Sequence, residues 1–92
     1  MKAPSNFAKF LKQKRELSGL SQKFVSEKLG YTTPQFISNW ERGVSTPPVQ
    51  TIKKLADLYK IPVEEIFNLL LQETLQQVTF DMKKKFYGKK AF

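Results

Sequence analysis

The sequence predicts an all-α protein of five helices, and two observations carry that expectation. Glycine and proline punctuate the chain at regular intervals, and the apolar residues between them recur with helical spacing. No stretch alternates apolar and polar residues convincingly with period two, so a β-sheet is not expected.

The punctuation places the elements in order. Gly19, Gly30 and Gly43 fall where successive short helices end, because glycine takes the left-handed conformation that terminates a helix. Each is closely followed by a capping candidate: Ser21, then Thr32 or Thr33, then Ser45 or Thr46. Pro34 and Pro47 sit just inside the next starts, where a missing N–H is harmless. Helices are therefore predicted at about 6–18, 21–29, 33–42, 47–59 and from 63 onward.

Apolar spacing agrees with these limits. Phe7, Phe10, Leu11 and Leu17 approximate one face of the first helix, and Val25 and Leu29 point inward on the second. Small Ser26 lies next to Val25, where another helix has room to cross closely. Ile52, Leu55, Ala56 and Tyr59 fall at i, i+3, i+4 and i+7 on the fourth. Pro62 closes that helix, and Glu64 and Glu65 suit the positive N-terminal end of the fifth.

Composition narrows the function classes. The 92 residues suit one domain with a single core, and the 40% hydrophobic content with eight Phe is enough to fold without staples. Without cysteine there is no disulfide framework and no thiolate metal site. Without histidine, His-based acid–base catalysis and His zinc sites are excluded. No nucleophile–base pair or metal cluster is visible, so neither an enzyme nor a cofactor is expected. The polar start lacks the apolar segment of a signal peptide, and no apolar stretch is long enough to span a bilayer. The default expectation is a soluble cytoplasmic protein with no membrane partner.

The net charge is +8, unevenly spread. Residues 1–60 carry 11 basic and 4 acidic side chains, residues 61–82 carry four acids and no bases, and the last ten residues hold five lysines. Such a pattern fits a polyanion-facing body, a segment with another task and a basic tail. It equally describes a soluble basic surface.

The third predicted helix has the most distinctive pattern. At about 100° per residue, with Ile37 at zero, Trp40 lies near −60° and Glu41 near +40° on one side. Gln35 near 160°, Asn39 near 200° and Arg42 near 140° project together from the opposite side, flanked by Ser38 and Phe36. Amides pair bidentately with adenine, and arginine does the same with guanine or binds phosphate. An ordinary solvated helix face has the same composition. The preceding helix, ending at Gly30 with a short turn after it, makes the two a helix-turn-helix unit whose second helix enters the major groove of DNA.

Here the sequence resembles a known family. Leu20-Ser-Gln-Lys-Phe-Val-Ser-Glu-Lys-Leu-Gly30, followed by Gln35-Phe-Ile-Ser-Asn-Trp-Glu-Arg-Gly43, is similar to the phage-repressor-like (XRE-type) helix-turn-helix family. The similarity runs from about Phe7 to Leu70 and implies a five-helix lambda-repressor-like domain, residues 1–70, with a C-terminal helical extension, residues 71–92. The resemblance implies that Gln22, opening the second helix, touches a phosphate, and Lys23 beside it is grouped with it. It places Thr33, Gln35, Phe36 and Asn39 at base-reading positions, with Ser38 a weaker candidate. Arg42, Ser45 and Thr46 fall in the region that grips backbone phosphate. Arg15 and Glu41 match positions that form a buried structural ion pair between the first and third helices, and Trp40 belongs to the core. Two departures stand out. The turn Gly30-Tyr31-Thr32-Thr33-Pro34 is one residue longer than usual, and Pro34 replaces a frequent polar reader, leaving a ring that can meet a thymine methyl.

Beyond Leu70 the family pattern ends. Phe67, Leu71, Leu75, Val78 and Met82 continue at spacings of four, four, three and four, an apolar stripe that a small domain cannot cover. A two-fold dimer seam is the simplest use of such a ridge, and folding back onto the domain is the alternative. Val78-Thr79-Phe80 and Phe86-Tyr87 are also bulky enough for an exchanged strand. The lysine-rich, aromatic-interleaved tail from Lys83 suits phosphate, a minor groove or an anionic membrane surface, or simple solvation.

The leading expectation is a sequence-specific transcription regulator, a homodimer on double-stranded DNA that represses from a palindromic operator and associates with the nucleoid. Two alternatives remain. One is a protein-interaction module of the same fold, such as an antitoxin, that engages a protein partner through the C-terminal extension. The other is a non-specific nucleoid-binding protein, whose affinity falls steeply with salt but varies little between sequences.

Overall fold

The computed structural model describes residues 5–88, and these form five helices: α1 Asn6–Leu17, α2 Gln22–Lys28, α3 Gln35–Glu41, α4 Val49–Tyr59 and α5 Val63–Tyr87. No strand occurs among the described residues. The segment Val78-Thr79-Phe80, bulky enough in sequence for a strand, lies within α5, as do Phe86 and Tyr87.

Local chemistry explains the starts. The Ser5 hydroxyl accepts from the backbone N–H of Ala8 at 3.0 Å, and Ser21 does the same for Phe24 at 3.0 Å, so α1 and α2 open on side-chain caps. The later helices open differently. Pro34, Pro48 and Pro62 occupy the cap positions of α3, α4 and α5. Neither Ser45 nor Thr46 caps α4, contrary to the sequence expectation. Proline's fixed φ sets the chain direction there and leaves no N–H to satisfy. At α3 the expected threonine works one position earlier, the Thr33 hydroxyl accepting from the N–H of Gln35 at 3.2 Å.

The first four helices end on one device. Gly30 has φ +87°, and the N–H of Tyr31 reaches back to the Ser26 carbonyl at 2.9 Å. The same backward bond closes α1 (Leu20 to Arg15), α3 (Val44 to Asn39) and α4 (Ile61 to Ala56). At the end of α4 it is Lys60, not glycine, that takes a left-handed φ of +55°, a conformation with a modest steric cost.

One core gathers all five helices: Phe7 and Leu11 from α1, Val25 from α2, Ile37 and Trp40 from α3, Ile52, Leu55, Ala56 and Tyr59 from α4, and Ile66 and Leu70 from α5. Ser26 is fully buried and satisfies its hydroxyl on the Lys23 carbonyl at 2.8 Å. Leu29 is only partly buried, and Leu17, expected on the inner face of α1, is 73% exposed. Leu17 lies ten residues after Phe7, which carries it about 80° off the buried face.

α5 is the longest element, and its 25 residues span about 37 Å. Its first two turns hold Ile66 and Leu70 in the core, while Leu71, Leu75, Val78 and Met82 beyond them are all exposed. The backbone passes through Leu70 without a break, so the boundary between residues 1–70 and 71–92 falls inside a continuous helix. No helix among the described residues is long and apolar enough to cross a membrane.

Candidate nucleic-acid interface

The site is built on α3 by the division of its two faces. Ile37, Trp40 and Glu41 are buried, and this anchors the helix to α1 and α2. Gln35, Phe36 and Arg42 are exposed, and Ser38 and Asn39 are partly so. The wheel drawn from the sequence therefore describes which side of the helix meets solvent.

The outward side chains form a network. Gln35 Nε2 donates to Asn39 Oδ1 at 2.8 Å, and Arg42 Nη2 donates to the same oxygen at 2.6 Å. Arg42 Nε donates to the Ser38 hydroxyl at 3.2 Å. Four residues spaced three or four apart thus share one row of hydrogen-bonding groups, the spacing at which helix side chains meet. Thr33 lies at the start of that row with its hydroxyl engaged at the helix N-terminus.

Behind the row, a partly buried ionic cluster centred on the buried Glu41 fixes the helix. Arg15 Nε donates to Glu41 Oε2 at 2.6 Å and its Nη2 to Oε1 at 3.0 Å, joining α1 to α3 as the resemblance implied. Arg15 Nη1 donates to the Leu20 carbonyl at 2.8 Å, which extends the tie to the start of α2. The hydrogen bond with Glu41 raises the pKa of Arg15 above its ordinary value, against the opposing effect of burial.

Gln22 differs from its expected use. Its Nε2 donates to Glu41 Oε1 at 3.0 Å, so one amide hydrogen belongs to the ionic cluster and the second is what remains for a phosphate. A helical wheel has no means of showing this, since Gln22 and Glu41 are 19 residues apart. Lys23 is exposed beside it. Ser45 and Thr46 are exposed in the loop after α3, where Arg42, Gly43, Ser45 and Thr46 face Glu73, Thr74 and Gln77 of α5 across an open groove.

One aromatic contact has no signature in the sequence pattern. Tyr31, in the turn between α2 and α3, stacks on Phe36 with ring centroids 4.6 Å apart and meets Trp40 edge-on at 5.9 Å. A single aromatic in a turn has no periodicity to reveal its neighbours; the lengthened turn was the only signal.

Two short helices held by a shared core and an ionic tie, the second presenting amides and arginine outward, constitute a DNA-binding helix-turn-helix unit. A family model described as helix-turn-helix matches residues 11–66, more than half of the chain, and the chain belongs to the XRE-type helix-turn-helix family. It is a DNA-binding regulator of that type. A comparison with curated proteins found no match.

Proposed function

We propose that the protein is a sequence-specific transcription regulator, most simply a cytoplasmic repressor, that binds a palindromic operator as a homodimer. The hydrogen-bonded row Gln35–Ser38–Asn39–Arg42 on the exposed side of α3 carries this reading. The amide groups on this helix face match the donor and acceptor pattern of base edges in the major groove, and the guanidinium at its end suits phosphate. Thr33, Gln35, Phe36, Ser38 and Asn39 are assigned to bases. Gln22, Lys23, Arg42, Ser45 and Thr46 are assigned to phosphates, which fix register without reading sequence. Residues 1–70 form the DNA-binding unit and residues 71–92 the extension.

The dimer rests on the ridge of α5. Phe67, Leu71, Leu75, Val78 and Met82 are 42–66% exposed, a continuous apolar surface of the kind that two-fold contacts cover. A homodimer presents two α3 helices about one DNA turn apart, the spacing that a palindrome matches.

Selection of bound sequences from a random DNA pool tests the proposal. Two related half-sites about 10 base pairs apart are expected, and Gln35→Ala combined with Asn39→Ala should abolish the preference while the fold is kept. Unchanged affinity in that double variant overturns the assigned face. A pool that stays random, with strongly salt-dependent binding, favours non-specific nucleoid binding.

A further inference from the structure

Phe36 is 51% exposed although it is a large apolar ring. It is not loose. Tyr31 lies against it at 4.6 Å with an interplanar angle of 29°, and Tyr31 in turn meets the buried Trp40 at 5.9 Å and 71°. The Tyr31 backbone is itself held, its N–H donating to the Ser26 carbonyl at 2.9 Å. Three rings thus run from the core to the surface. On the α3 wheel Phe36 sits about 60° from Asn39, at the edge of the outward face.

We propose that Tyr31 is a positioning residue for DNA recognition, holding Phe36 as an apolar platform against the C5-methyl group of a thymine. This rests on the proposed reading face of α3. Thymine alone among the four bases presents a methyl group in the major groove, so an apolar surface there separates thymine from cytosine and from uracil. A free Phe side chain loses rotamer freedom when it docks. The stack on Tyr31 removes that loss, and without it the ring turns away from a fixed position.

The test uses the full chain and the operator recovered by selection, with each thymine replaced in turn by deoxyuridine. Uracil pairs identically and lacks only the methyl. The wild-type protein should lose about fourfold in affinity at one thymine in each half-site. Phe36→Ala and Tyr31→Ala should no longer distinguish thymine from uracil there, whereas Tyr31→Phe, which keeps the ring, should still do so. Should Tyr31→Ala fail to fold, Tyr31→Leu fills the turn without stacking and takes its place. Equal binding of the wild type to every uracil-substituted site overturns the proposal, as does full thymine preference in both the alanine and leucine variants. The reading face is judged separately: if Gln35→Ala with Asn39→Ala abolishes specificity while uracil has no effect, the face stands and the methyl platform falls.

Discussion

Arg15 and Glu41 make a two-pronged contact across the bundle, with Nε and Nη2 each on a separate carboxylate oxygen at 2.6 and 3.0 Å. Glu41 is 5% exposed and Gln22 also donates to it, so the carboxylate at the end of α3 collects the ties that orient the helix. Arg15→Ala leaves that carboxylate without its charge partner. A stability loss of about 3–5 kcal/mol is expected in denaturant unfolding. Replacing both partners together, Arg15→Met with Glu41→Leu, should recover most of it. A loss below about half a kcal/mol for the single variant contradicts a buried pair.

Arg42 is exposed at the end of α3, beside the loop assigned to phosphate. Arg42→Ala should weaken binding to all sequences alike and reduce the salt slope of affinity by about one unit, measured by titration at several salt concentrations. A change confined to one base pair reassigns Arg42 from phosphate to base.

Leu75 is 56% exposed midway along the ridge of α5. Leu75→Glu puts a charge into the proposed seam without touching the core. Sedimentation is expected to show a dimer for the wild type and a monomer for the variant, with unchanged helical content and a clear loss of affinity for the selected site. A variant that remains dimeric places the seam elsewhere.

Tyr59 is buried, and desolvation, reinforced by the negative charge of Glu41, raises its pKa well above the ordinary value. The unfolded chain therefore gives up this proton first, near pH 10. The stability contributed by the neutral phenol is complete below that pH and declines as pH rises above it. Urea midpoints from pH 9 to 11 should fall more steeply for the wild type than for Tyr59→Phe. Parallel curves would mean that the phenol ionises equally well in both states.

Much of this was legible in the sequence because it depends on local rules. Gly30 and its counterparts mark helix ends because backbone conformation is a local property, and the split of α3 into Ile37/Trp40 and Gln35/Asn39/Arg42 follows from helical pitch alone. The Arg15–Glu41 pair follows from the family resemblance alone, since no spacing rule joins residues 26 apart. Contacts between elements were the part out of reach. Gln22 serves Glu41, and Tyr31 supports Phe36, because folding brings α2, its turn and α3 together in a way that periodicity does not encode. Pro48 replaced Ser45 and Thr46 at the start of α4 for a simpler reason: the loop after Gly43 runs longer before turning into the helix.

The shared acceptor on α3 bears on how the protein discriminates. Asn39 Oδ1 already accepts from Gln35 and Arg42 in the free chain. On the proposed reading, docking onto DNA is an exchange in which bonds among side chains give way to bonds with base edges and, for Arg42, with phosphate. A matching site replaces every bond that is opened. A mismatched site opens the same bonds and leaves donors stranded at a drying surface, where an unmet donor costs about 1–3 kcal/mol. The protein then rejects wrong sequences largely through what they force it to give up, and the difference should appear as faster dissociation from them.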